Sequence, residues 1–117
     1  MIIKQTENEV KAAIKKYLEA HGYKVYRINN AGMNVAQKGE RPRFAFHGTP
    51  GFSDMVAFKA GCLVVFVEIK ATGKKPSEAQ NSFLNLASTC NSIAVWADSL
   101  DMFVDKLHKE ILIFEIE

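Results

Sequence analysis

Asp54, Glu68 and Lys70 are the residues whose types and spacing suit chemistry. Glu68 and Lys70 close the run Val64 to Lys70, in which five of seven residues are apolar and most are β-branched or aromatic. That composition predicts a strand buried on both faces. Residues two apart in a strand point to the same side, so Glu68 and Lys70 project together from the lip of the sheet. A buried charge there is costly unless it is paired or binds a metal. The bland alternative is a surface ion pair at a strand end, which is worth little. Asp54 stands between a Gly- and Pro-rich turn and the short apolar strand Met55 to Phe58. Lys59-Ala60-Gly61 predicts a hairpin turn into the 62–70 strand, and that pairing brings Asp54 close to Glu68. Two carboxylates and an ammonium then converge. Carboxylates are hard oxygen donors that suit Mg²⁺ or Mn²⁺. Such a cation makes water more acidic and offsets charge on a scissile phosphate. Lys70 would hold the attacking water or offset transition-state charge. The Ile69 carbonyl, between the two charged residues, is a further candidate ligand. Phosphodiester hydrolysis is the expected chemistry.

These groups need elements to hold them. Thr6 to about His21 has helical spacing, with Val10, Ala13, Ile14, Tyr17 and Leu18 as its apolar stripe. Thr6 and Glu9 match a capping box, and Gly22 supplies the stop. At about 100° per residue Glu7 lies in line with Val10, Ile14 and Leu18, while Glu9 points away. Glu7 is therefore either helix-dipole decoration or a site group, bound to the metal directly or through water. Tyr23 to Ile28 alternates as a half-exposed strand. Residues 33–43 carry Lys38, Arg41 and Arg43 and predict a mobile basic loop, either solvated or in contact with phosphates. Ser77 predicts an N-cap, and the following helix presents Ala79, Phe83, Leu84 and Ala87 on one face. Ile93 to Ala97 is a further strand. Ser99 caps a final helix with Met102, Phe103, Lys106 and Leu107, and Ile111 to Ile116 is expected to be a last strand or a packed tail. His21 and His108 are expected at exposed helix ends, and Trp96 in the core.

With 117 residues, 48% apolar and 24% charged, the composition is that of one globular domain spanning 1–117. A net charge of +2 neither proves nor opposes a nucleic-acid partner, because local patches matter more. Cys62 and Cys90 fall in apolar surroundings, without CxxC or zinc spacing, and read as reduced core thiols of a cytoplasmic protein. No signal-peptide pattern or membrane-length apolar run is present, and nothing calls for a small-molecule cofactor.

Pro50, Asp54 and Glu68-Ile69-Lys70 resemble the PD-(D/E)xK nuclease motif. With Glu7, Arg27-Ile28-Asn29-Asn30, Gly48-Thr49-Pro50-Gly51-Phe52-Ser53-Asp54 and Ser77-Glu78-Ala79-Gln80, the chain resembles the VRR-NUC family, the virus-type replication-repair nucleases. The resemblance covers roughly residues 6–107. It departs at Ser53, where members often have Pro, without moving Asp54. It implies an α/β fold: a restriction-endonuclease-like α-β-β-β-α-β core with helices flanking a mixed sheet. It also implies metal-dependent cutting of DNA with a preference for branches. By position, Glu7, Asp54, Glu68 and Lys70 would be catalytic, with Gln80 beside them. Small stand-alone members resemble Holliday-junction resolvases that act as homodimers, and two cuts in a four-way junction do need two sites. The dimer surface would involve Ile111–Ile116 and the final helix, unless these pack on their own sheet. Arg27, Lys38, Arg41, Arg43, His47, Lys74 and Lys75 are candidate DNA contacts. The alternatives are a nuclease for flaps or duplex, a non-catalytic nucleic-acid-binding domain, and a structural protein whose charges solvate strand ends.

Overall fold

The structure is a computed structural model, and it describes residues 3–28, 32–34, 36–41, 44–46 and 51–116. Helix α1 spans Glu7–Ala20 and begins at a complete capping box. Thr6 Oγ1 accepts the Glu9 N–H at 3.2 Å, and the Glu9 carboxylate accepts the Thr6 N–H at 3.1 Å. Reciprocal capping satisfies two of the donors a helix start leaves open. Val10, Ile14 and Leu18 are fully buried, so the apolar stripe faces the core as its spacing requires.

In chain order the strands are β1 (Lys24–Arg27), β2 (Gly32–Asn34), β3 (Phe44–Phe46), β4 (Met55–Phe58), β5 (Val64–Ile69) and β6 (Ser92–Ala97). Four of them form a sheet in the order β1-β4-β5-β6. β1 pairs antiparallel with β4, and β4 antiparallel with β5. β5 pairs parallel with β6, which requires a crossover. Helix α2, Glu78–Ser88, makes it. Helix α3, Leu100–Ile116, follows β6. The result is an α+β arrangement, a mixed sheet flanked by helices.

Val25, Met55, Ala57, Val65, Val67, Ile69, Ile93, Val95 and Ala97 face α1 and the Phe103 and Leu107 side chains of α3. On the opposite face Phe66 meets Phe83 of α2 edge-on at 5.5 Å, and Phe52 sits 4.6 Å from Phe83. The middle of β5 is therefore covered from both sides. That cover is why its polar end is buried rather than wet.

Several expectations need correction. β2 and β3 pair antiparallel, with Gly32 opposite Phe46 and Asn34 opposite Phe44, so Met33 and Asn34 belong to a strand and the described residues 36–41 lie between two paired strands. Ile111–Ile116 is the end of α3 and not a strand, because it continues the helix from Leu100 with no breaker between. His108 consequently lies within α3 rather than at a helix end, 3.4 Å from the Tyr17 hydroxyl. Cys62 and Cys90 are both exposed free thiols. Each sits in a turn just before a strand. Ala79 is exposed on α2, whose buried side is carried by Leu84 and Ala87. Among the described residues no helix is long and apolar enough to cross a membrane.

Candidate active site

The register of the β4–β5 pair builds the site. Met55 lies opposite Val67, and the Asp54 N–H donates to the Val67 carbonyl at 3.1 Å. Asp54 therefore sits one step before β4, beside the end of β5. Its carboxylate Oδ2 accepts the Ile69 N–H at 2.7 Å. Its own carbonyl accepts the Ile28 N–H at 2.7 Å, which ties it to the end of β1 as well. Asp54 is thus a fixed group held by two neighbouring strands.

Glu68 is 2% exposed. Its Oε1 accepts from Gln80 Nε2 at 2.7 Å and lies 3.9 Å from Lys70 Nζ. Its Oε2 is buried with no hydrogen-bond donor facing it. An orphaned carboxylate oxygen is expensive in a low-dielectric setting. Burial, then the charge and hydrogen bonding of Asp54, push the Glu68 carboxyl up from the ordinary 4.5 to about 8. Lys70 opposes that shift, and Glu7 adds to it. Near neutral pH Glu68 holds a proton that it can offer to Asp54. Two carboxyl groups brought together at a buried sheet end are the electrostatic setting of a cation site.

Lys70 projects with Glu68 and is partly buried, while its N–H donates to the Ala97 carbonyl on β6. In an extended strand the N–H and C=O of one residue leave on the same edge. The Ile69 carbonyl therefore faces the Asp54 side. Glu7, in the first turn of α1, is exposed rather than buried with Val10, Ile14 and Leu18. Its charge still reaches Glu68.

Gln80 performs two tasks. Its Oε1 accepts the Ser77 N–H at 2.8 Å and closes the capping box of α2, while its Nε2 reaches Glu68. The capping task was legible as Ser77-x-x-Gln80, the spacing of a capping box. Gly51 was not singled out. It has φ +85°, and a Cβ there would meet the Ala79 carbonyl in the first turn of α2. The approach holds the 51–53 turn against α2 and so positions Asp54. Ser53 is fully buried and donates to the Met55 carbonyl at 3.1 Å, so it leaves Asp54 in place.

Lys74 and Lys75 are exposed in the 71–76 turn. Gln5 and Thr72 bond to each other through two hydrogen bonds, of 2.9 and 3.1 Å, and Gly73 N–H donates to Asp98 Oδ2 at 2.9 Å. That turn is anchored next to the start of α1. Arg27 is exposed at the end of β1, opposite Met55. Lys38 and Arg41 are exposed between β2 and β3. Arg43, His47 and the 48–50 part of the motif lie outside the described residues.

Among the described residues no three His, Cys, Asp or Glu side chains stand as a ready-made metal cluster. The donors that fit a hard cation are fewer: the Asp54 carboxylate, the orphaned Glu68 Oε2 and the Ile69 carbonyl. Mg²⁺ needs no more, since it keeps most of its waters and binds through one or two carboxylates together with substrate phosphate. Compared with family models, curated proteins and solved structures, the chain gives no match.

Proposed function

We propose that this protein is a metal-dependent phosphodiesterase of the PD-(D/E)xK kind, with Asp54, Glu68 and Lys70 as its catalytic residues. Within that class the reading is a VRR-NUC-like endonuclease that cuts branched DNA and acts as a homodimer. The observation that carries it is the Glu68 Oε2, buried beside Asp54 with no donor of its own. An ion pair with Lys70 alone does not account for a second carboxylate, Asp54, set against the buried Glu68 carboxyl.

Asp54, Glu68 and the Ile69 carbonyl would hold Mg²⁺ or Mn²⁺. When bound, the cation supplies a more acidic water and neutralises charge on the scissile phosphate. The chain's own residues do the rest. The Ile69 N–H fixes one Asp54 oxygen, and Gln80 fixes one Glu68 oxygen, so the remaining oxygens are aimed without rotamer freedom. Lys70 stands beside Glu68, where its ammonium can hold an attacking water or meet charge that develops on the phosphate. Glu7 would act on the metal directly or through water. A pure binding domain has no use for paired carboxylates that repel phosphate.

Labelled four-way junction, flap and linear duplex DNA, incubated with Mn²⁺, Mg²⁺ or EDTA, test the reading. Metal-dependent cleavage that is lost in Asp54→Asn is expected, with paired symmetric cuts in the junction. Cutting of flaps or duplex as well would keep the nuclease and remove the junction preference. Binding without any cutting would favour the non-catalytic domain.

A further inference from the structure

A groove of about 350 Å³ lies between α1 and β1, lined by Asn8, Lys11, Ala12, Lys15 and Arg27. The four α1 residues recur at i, i+3, i+4 and i+7, so they form one stripe along the helix. That stripe flanks the buried Val10–Ile14–Leu18 face on the β1 side. Arg27 closes the groove from the opposite wall. The groove begins beside the site. Asn8 follows Glu7, and Arg27 lies opposite Met55, one residue from Asp54. Three cations line it. Glu7 lies one turn before Lys11 on α1, and Lys15 Nζ approaches Glu19 to 3.4 Å. An exposed i,i+4 pair of that length leaves Lys15 free to exchange partners. β1 is the edge of the four-stranded sheet, so among the described residues no further strand closes the groove's outer side. Across the same end of the sheet Lys74 and Lys75 lie beyond β5. The acids therefore have cations on both sides.

We propose that this groove holds the sugar–phosphate backbone of the DNA strand on the α1 flank of the scissile phosphate. Lys11, Lys15 and Arg27 would contact successive phosphates, and Asn8 the one nearest the site. The proposal rests on the nuclease reading for its direction, since it is the acid site that sets where the cut strand must pass. Backbone cations position a duplex or strand without reading sequence, so the groove would take any DNA sequence.

The test is fluorescence anisotropy of labelled duplex and single-stranded DNA in EDTA, titrated with NaCl between about 50 and 200 mM. The variant is Lys11→Gln/Lys15→Gln, which keeps helix propensity. Its control is Lys16→Gln/Lys109→Gln, with the same change in net charge but outside the groove. Circular dichroism and Tm confirm that both are folded. The groove variant should bind roughly tenfold more weakly, with the slope of log K against log[salt] reduced by about two units. The control should keep the wild-type slope. Equal losses in both variants would reduce the effect to net charge and overturn the groove. So would an unchanged slope in the groove variant, or absence of DNA binding by the wild type. Cleavage is scored separately. Groove-dependent binding without metal-dependent cutting keeps the groove and removes the nuclease. Cutting with a slope unchanged in the groove variant does the reverse.

Discussion

The Asp54 carboxylate has a structural bond as well as a proposed catalytic task, and the two can be separated. Asp54→Ala leaves the buried Ile69 N–H without an acceptor, at a cost of about 1–3 kcal/mol. Asp54→Asn keeps an oxygen for that N–H and removes the charge. Both should lose about 10²-fold or more in cleavage, but only Asp54→Ala should melt well below wild type. A matching Tm for the two would mean the Ile69 bond contributes little. Glu68 sets the pH behaviour. Its folded-state pKa is raised from 4.5 to about 8, chiefly by burial and Asp54, so between those values the native state keeps a proton that the unfolded chain has lost. Stability of the metal-free protein should therefore fall as pH rises through this window. Thermal melts in EDTA at pH 5 and pH 8.5 check it, with Glu68→Gln expected to lose less over the same interval. Mn²⁺ competes with that proton, so its stabilisation of the wild type should be larger at pH 8.5 than at pH 6. Parallel pH curves for wild type and Glu68→Gln would place the titration elsewhere.

Helix α2 is joined to the site by one side chain. Gln80 caps the helix with its oxygen and holds Glu68 with its nitrogen, so Gln80→Glu and Gln80→Ala should differ. Glu keeps the cap but sets an oxygen against Glu68 Oε1. It should shift the pH profile of cleavage upward while α2 remains capped. Ala loses both bonds and should cost about 1–2 kcal/mol in addition. A profile that Gln80→Glu leaves unmoved would confine Gln80 to the helix cap. Most elements were legible because their signals are local. Thr6-x-x-Glu9, the stripe of α1 and the apolar run of β5 each lie within a short stretch of chain. The failures have physical causes too. Helix angle alone orients Glu7 toward Glu68 but does not say how far a first-turn side chain is covered, and Glu7 is exposed. Ile111–Ile116 carries the composition of a strand, and the continuity of α3 overrode it. β2 and β3 are three residues each and lie among polar, Gly-containing sequence, where a short ribbon leaves no period to detect. Gly51 was missed because the demand on it comes from Ala79, 28 positions along.

At the scale of the whole molecule, the meeting of Asp54 with Glu68 could be anticipated because one hairpin turn fixes the β4–β5 register. The approach of Gln80 to Glu68 needs the crossover helix to return across the sheet, a long-range event that local pattern does not encode. Assembly of copies is less legible still, if it occurs, since an apolar side chain reads the same whether its own sheet or a second copy covers it. In the folded chain Leu112, Ile113 and Phe114 of α3 are 58%, 51% and 49% exposed. Adjacent apolar groups left this open are what a homodimer of the proposed kind would cover. Leu112→Glu/Phe114→Glu separates the two fates. If these side chains stabilised only their own protomer, the double variant would melt at lower temperature with unchanged mass. If they lie between copies, it should elute and scatter light at half the wild-type mass. Its monomer fold should persist, because the altered positions are already half in water. The functional consequence follows from geometry. A dimer presents two sites to a four-way junction and makes paired cuts in one encounter, whereas a monomer makes single nicks that convert to paired cuts only as protein concentration rises. Junction cleavage on a supercoiled cruciform plasmid reads this directly, as linear product for the dimer and nicked circle for the monomer. Linear product from a double variant of monomeric mass would detach junction resolution from dimer formation.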